Sequence, residues 1–516
     1  MSPANASARA TRSRGRGRRT DREETSATAA APAYIERKIP YFDFLDEEAL
    51  VAIETQADYL LQEIGIDFRD DPETLEIWKD AGADVKGEHV RLPNGMCREL
   101  LKTAPRVITQ HARNPEKTVK IGGTNQVFAP IYGAPFFRSL DEGRRYGTLE
   151  DLQKLIKLTH MTPYLHHSGG IICEPCDIPV NKRHLDIVYS HIKYNDQPYL
   201  GMITEKSRCE DSVEMTRILF GADYMEQHCC VMGNVNVNSP LMFDKVATHA
   251  IRTYCGANQG IIVVPFILGG AMGPVTVAGA VAQALAEAMA GGALSQLVRP
   301  GSSFVLGNFL SSMSLKSGAP PFGMPEPTMS NYMVGQLARR LGVPLRCGGS
   351  LTASKLADAQ SAAESADSMH STALGGSNYT LHSAGWSEAG LVTNIEKFMM
   401  DIDRLGSYQR MLGGVATDRN GLATDAYAEA SPGDHMLGNS HTMANYQTAY
   451  YDSKMSNSES FEQWEDEGAK DSVVRANERW KQQLNDYQAP PLDEAKDEEL
   501  REFIDKKKAS MEDAWY

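Results

Sequence analysis

Residues 260–307 read GIIVVPFILGGAMGPVTVAGAVAQALAEAMAGGALSQLVRPGSSFVLG. The run Gly260 to Leu268 is almost wholly apolar and short, which fits a strand buried on both faces. Val277 to Leu297 carries Ala and Gly at helix-like spacing, and Ser303 to Gly307 is apolar again. A fully apolar strand, a helix and a second apolar strand describe a parallel pair with a helical crossover.

Outward from this unit the pattern repeats. From Gln126 onward, short apolar runs ending in Gly, His or Asn alternate with longer amphipathic stretches eight times. The candidate strands are Gln126 to Ile131, Tyr164 to Ile172, Tyr199 to Ile203, Cys229 to Val235, Gly260 to Leu268, Ser303 to Gly307, Pro344 to Cys347 and Asn378 to Leu381. Helical patterns follow them at intervals from Leu149 to His160 through Ile395 to Leu405. The class is α/β, and a count of eight favours closure into a (β/α)8 TIM barrel over residues 121–412. Residues 33–120 read as an N-terminal α+β cap, largely helical, in which Asp46, Leu50, Ile53 and the Tyr59 to Leu61 cluster keep one helical face. Residues 413–516 read as a polar loop, Gly414 to Thr448, and a C-terminal helical extension that wraps the barrel or a neighbouring subunit. A homo-oligomer is expected on that ground.

The formal net charge is −15, yet residues 1–32 hold seven Arg against Asp21, Glu23 and Glu24, so the rest of the chain carries about −19. An acidic body argues against a nucleic-acid groove, which needs a basic surface. The Arg-rich tail, mixed with Ser, Thr, Ala and Gly, reads as a disordered, solvated extension without the apolar core of a secretory signal. The longest apolar stretch, Val275 to Leu297, is interrupted by Gln283 and Glu287, so no membrane span is expected. Eight scattered Cys suit a reducing cytoplasm better than a disulfide scaffold.

In a barrel of this kind chemistry sits at the carboxyl ends of the strands. There the sequence places Tyr132, Phe136, Glu205, Asn236, Gly269, Gly270, Asn308, Gly348, Gly349, Ser350, His382, Trp386 and Glu388. Aromatic and amide groups outnumber cations, which suits a small cation held by ring faces. Any one of these rings could instead simply fill the mouth. His166 and His167 lie within strand two, so one should point inward and the other outward. Cys173-Glu-Pro-Cys176 has redox or zinc spacing but no companion ligands. Cys229 and Cys230 are read as core thiols. Gly269-Gly-Ala-Met-Gly-Pro274 lacks the lysine and order of a phosphate loop.

The run Gly348 to Glu364, the segment Leu381-His-Ser-Ala-Gly-Trp-Ser-Glu-Ala-Gly-Leu391 and Pro265 to Pro274 together resemble the trimethylamine methyltransferase family over roughly residues 35–480. The resemblance implies a barrel that docks a separate corrinoid protein over its strand ends and moves a methyl group to Co(I). Trimethylamine-specific members carry pyrrolysine near the end of strand seven, whereas Cys347 to Ser354 holds only standard residues. That pattern is similar to the glycine betaine methyltransferases of the family. A quaternary nitrogen already carries the charge that lets a neutral amine leave, so no protein nucleophile is expected and the protein's work is positioning and exclusion of water. The resemblance then implies that His382 binds a betaine carboxylate with Asn236 or Asn308 assisting. Tyr132, Phe136 and Trp386 surround the ammonium, while Glu205 and Glu388 supply negative potential. Gly348, Gly349, Ser350, Gly269 and Gly270 face the corrin ring. A cognate corrinoid protein is the expected partner and no tightly bound metal is expected. Two rival readings are a metal-assisted barrel, a zinc methyltransferase or lyase using His166, His167, Cys173 or Glu205, and a quaternary-amine binding protein without catalysis.

Overall fold

Seven of the eight apolar runs form hydrogen-bonded strands within three residues of their expected bounds in the computed structural model, which describes residues 32–314 and 316–515. These are β1 (Asn125–Phe128), β3 (Tyr199–Gly201), β4 (Val231–Val237), β5 (Gly260–Gly269), β6 (Phe304–Gly307), β7 (Leu345–Gly348) and β8 (Tyr379–Leu381). They pair in parallel in the order β3-β4-β5-β6-β7-β8-β1.

The remaining run, Tyr164 to Ile172, forms no regular ladder but fills the gap as β2. His166 N–H donates to Phe128 O (2.9 Å), Ser168 N–H to Pro198 O (2.8 Å), and Leu200 N–H to Gly169 O (2.8 Å), which closes the ring. Its irregularity has a local cause. The Nδ1 of His166 accepts from Phe128 N–H and that of His167 from Gly169 N–H, so side chains take backbone partners that a ladder would use.

The helices between the strands, α1 (Leu149–His160), α2 (Arg183–Tyr194), α3 (Lys206–Phe220), α4 (Lys245–Gly256), α5 (Val277–Val298), α6 (Pro325–Leu341), α7 (Ala359–Gly375) and α8 (Ile395–Leu412), form the outer layer. A capping box between Thr148 and Asp151 starts α1 at the residue its sequence indicates. Helix α5 is long and apolar enough to cross a membrane, yet most of it is buried between barrel and cap. Its two polar interruptions hold the turn after β4: Glu287 accepts from Ser239 Oγ (2.5 Å), Leu241 N–H (2.8 Å) and Gln283 Nε2 (2.8 Å).

Alternation along the strands separates two cores. Val127, Leu200, Met232, Ile262, Val305, Tyr379 and Leu381 point into the barrel, and Ile108, Val119 and Ile121 of a hairpin (Val107–Gln110, Val119–Gly122) close its amino-terminal end. The opposite end is extended in two places. Residues 266–269 of β5 run on beside Phe309–Ser312, and a four-stranded sheet joins the ends of β1 and β8 through Phe136–Ser139, Gly143–Tyr146, Trp386–Ser387 and Val392–Asn394.

The N-terminal segment interlocks with the barrel, because its strand Ile66–Phe68 pairs with Met242–Phe243 from the loop after β4. Residues 32–516 accordingly cluster as one unit. At the other terminus, helix Ser472–Asp486 bonds Asn477 and Trp480 to Glu396 of α8, and helix Glu494–Ala509 pairs Asp497 with Lys193 and Lys507 with Asp211. These helices wrap the chain's own barrel. The polar stretch 414–448 includes two single-turn helices, Thr424–Glu429 and Ser440–Asn445. The Arg-rich tail through residue 31 lies outside the described residues.

Candidate functional site

The carboxyl-terminal mouth is organised around Phe309, the first residue past Asn308 at the end of β6. Its ring lies 5.3 Å from Phe266, 5.4 Å from Phe322, 5.2 Å from His382 and 5.6 Å from Trp386. Trp386 stands edge-on to His382 at 4.5 Å and to Phe322 at 5.3 Å, and its indole N–H is buried without a partner among the described residues. Two backbone features hold the indole there. Gly390 turns with φ +96°, and a Cβ at this position would lie 2.5 Å from the Trp386 ring. Asp401 Oδ2 accepts from Gly385 N–H (2.9 Å) and from Lys397 Nζ (2.6 Å), and Lys397 in turn donates to Ser350 O (3.1 Å). One buried ion pair therefore ties the ends of β7 and β8 together.

His382 ends β8 with φ 61°, a left-handed conformation that costs a side-chain-bearing residue of order 1–3 kcal/mol and gathers at functional sites. Its Nδ1 faces Tyr132 N–H (3.2 Å) and its Nε2 faces Arg346 Nη2 (2.9 Å). Burial first, and the adjacent guanidinium second, hold the imidazole well below its usual pKa, so the ring is neutral near pH 7. Arg346 projects from within β7 into the barrel and is 1% exposed. Its Nη1 donates to Asn308 O (3.2 Å), its Nε has no partner among the described residues, and its guanidinium lies 5.1 Å from the Phe309 ring centre. Burial pushes its pKa down to about 10.

The expected residues divide into two groups. His382 and Trp386 converge at the mouth, Tyr132 joins them through its backbone N–H while its ring lies against Gly170, and Asn236 is exposed on the inward face of β4, two residues beyond Asn234. The others are engaged elsewhere. The Asn308 amide turns outward to Ser330 Oγ (3.2 Å) and Asn331 Oδ1 (3.1 Å) of α6, so only its carbonyl serves the site. Phe136 is covered by the Arg144 guanidinium at 3.6 Å and stacks on Tyr146, so the chain's own cation occupies that ring face. Glu388 is neutralised by Arg144 (3.0 Å), and Glu205 is an exposed residue at the start of α3 beside Arg208. Gly348, Gly349 and Ser350 are buried. Gly348 makes room for Phe309 and Leu351, Gly349 for Met369 and Thr380, and the Ser350 carbonyl is taken by Lys397 and Ser365. Gly269 and Gly270 are partly open on the rim, near Val275 at 74% exposure.

The side chains of the metal reading are dispersed. His166 packs against Phe128 on the outer side, while His167 points inward to Gln110 (3.2 Å) and the Tyr379 hydroxyl (3.2 Å), as alternation requires. Cys173 lies against Gly147, and Cys176 donates to Pro135 O. Among the described residues no three His, Cys, Asp or Glu side chains gather at one point.

Arg346, Phe322 and Phe266 are not among the residues that follow each strand, whereas Phe309 is one of the two that follow strand six. For Arg346 a signal exists: it is the charged residue inside the strand Leu345-Arg-Cys-Gly348, and alternation sets it opposite Leu345 and Cys347.

Comparison with known proteins gives a consistent answer. The family model described as trimethylamine methyltransferase (MTTB) matches residues 12–512. A glycine betaine methyltransferase of Desulfitobacterium hafniense (strain Y51) is 36% identical over 467 residues, spanning 90% of this chain and 97% of that protein. The trimethylamine methyltransferase MttB of D. hafniense (strain DSM 10664 / DCB-2) is 26% identical over 90% of this chain and 93% of its own length. A proline betaine:corrinoid methyltransferase of Eubacterium limosum is 26% identical over 66% of this chain and 72% of its own.

Proposed function

The chain belongs to the trimethylamine methyltransferase family, and from that premise we propose that it takes a methyl group from glycine betaine and passes it to a corrinoid carried by a partner protein. The observation that carries the substrate choice is the mouth itself, where the faces and edges of Phe309, Trp386 and Phe322 meet beside the polar pair His382 and Arg346. A zwitterion with a trimethylammonium at one end and a carboxylate at the other matches that division. The segment Cys347–Ser354, made only of standard residues, fits a quaternary substrate that needs no extra reactive group from the protein.

The residues' work is positional. Ring faces hold an ammonium without hydrogen bonds and leave its methyl groups free to point outward. The buried, neutral His382 offers no acid at the reacting carbon, and none is needed because the leaving amine departs neutral. A reduced corrinoid bound at the rim would supply the nucleophile. The rim fits such a flat group at Gly269 and Gly270, which present no side chains, whereas Gly348 to Ser350 lie beneath as supporting structure.

The test is incubation of the purified protein with a reduced corrinoid protein and glycine betaine, proline betaine or trimethylamine in turn, following dimethylglycine and the cobalt spectrum. Glycine betaine is expected to be consumed with methylation of the corrinoid. Turnover of trimethylamine alone, or betaine binding without turnover beside an active partner, would overturn the proposal.

A further inference from the structure

We propose that Arg346, acting with His382, is the carboxylate clamp that makes this site selective for zwitterionic over purely cationic quaternary amines. The inference rests on the methyl-transfer reading above and adds to it the residue that sets specificity.

The first argument is an uncompensated charge. Arg346 is buried, and its polar contacts are one carbonyl and one imidazole. A buried guanidinium without an anion is costly, and proteins pair such groups. Two cations close to the mouth are already paired with acids, Lys397 with Asp401 and Arg144 with Glu388. No acidic side chain pairs with Arg346 among the described residues, so the anion it calls for is one the ligand brings.

The second argument is a proton count. A neutral imidazole has one N–H and one lone pair. Here both ring nitrogens face donors, Tyr132 N–H at 3.2 Å and Arg346 Nη2 at 2.9 Å. Whichever tautomer forms, one N–H points at another N–H. With Nδ1 accepting from Tyr132, Nε2–H and the Arg346 N–H groups converge on one spot, and a carboxylate oxygen placed there accepts from both. The unpartnered Arg346 Nε is a further donor on the same fork.

The third argument is placement. Phe309 lies beside both groups, 5.2 Å from His382 and 5.1 Å from the guanidinium, which fixes the fork next to the ring that borders Trp386. The anion site and the aromatic wall thus adjoin, as a substrate with one carbon between carboxylate and nitrogen requires.

The test measures Kd for glycine betaine and for choline, which keeps the trimethylammonium but lacks the carboxylate, in the full-length protein and in Arg346→Met and Arg346→Lys. The wild type is expected to prefer betaine, and Arg346→Met to reduce the choline-to-betaine Kd ratio about 100-fold, the range for a charge-assisted hydrogen-bonded contact. Arg346→Lys, which keeps the charge and loses the fork, is expected to reduce the ratio about 10-fold, and carries the test if the Met variant does not fold. A folded variant whose ratio matches the wild type would overturn the clamp while leaving methyl transfer intact. A wild type that binds neither ligand, yet turns over another amine, would instead overturn the functional reading.

Discussion

Replacing Asp401 probes the support beneath the mouth. Asp401 and Lys397 are both buried, 2.6 Å apart, with Lys397 Nζ also bonded to Ser350 O and Asp401 Oδ2 to Gly385 N–H. Burial pushes the lysine pKa down and the aspartate pKa up, so each charge persists because of the other. Removing one partner of such a pair costs about 3–5 kcal/mol. Asp401→Asn can still accept from Gly385 N–H, so its loss should stay within that range, whereas Asp401→Ala leaves the amide unpaired and should lose about 1–3 kcal/mol more. Because Gly385 and Ser350 flank the ends of β8 and β7, the Ala variant should also bind betaine more weakly. Replacing both residues, as Lys397→Met with Asp401→Asn, removes the isolated charge, keeps an acceptor for Gly385 N–H and should recover most of the stability. Urea denaturation of the four proteins, with betaine titration of those that fold, provides the assay. If Asp401→Asn loses less than about 1 kcal/mol, or the double variant is as unstable as the single ones, the pair does not carry the role assigned to it.

Three further outcomes follow. Gly390→Ala places a methyl against the Trp386 ring at positive φ and should cost about 1–3 kcal/mol while raising the betaine Kd, checked by thermal melts and calorimetry. Betaine affinity should be flat through neutral pH, because burial holds His382 well below its usual pKa and its ring is already neutral there, and should fall only on the alkaline side, because burial lowers the Arg346 pKa to about 10. The sign is set by the charged guanidinium being the binding form, so a rise in affinity over the same range would contradict it. Phe309→Leu should weaken betaine binding at least about tenfold through the lost ring contacts, whereas Phe136→Leu, whose ring already covers Arg144, should change it less than about twofold; equal effects would place the ammonium elsewhere.

The barrel was legible because apolar runs and amphipathic helices have different periods, and both periods survive in a single sequence. The irregular β2 was legible as a strand only in outline, since His166, His167 and Ser168 use side-chain bonds that no pattern of hydrophobicity records. The site was half legible. Scanning the residues after each strand finds His382 and Trp386, yet misses Arg346, which sits one layer down and reaches the mouth by the length of its side chain. Alternation alone decides between neighbours such as Asn308 and Phe309, and a shift of one residue in the assumed strand reverses the answer. A glycine that admits a partner and one that admits Met369 look alike in sequence, which is why Gly349 reads as surface and proves to be core. Glu388 reads as free negative potential until the chain folds Arg144 beside it from 244 positions away.

The hairpin that seals the amino-terminal end of the barrel has a kinetic consequence. With that end sealed and the interior packed, the carboxyl-terminal mouth is the face left for ligands, and on the proposed reading the amine and the corrinoid partner would both have to use it. Loading would then come before docking, and the demethylated amine would leave only after the partner lifts away. Steady-state turnover should show compulsory order, with excess corrinoid protein trapping the empty site and slowing the cycle it completes.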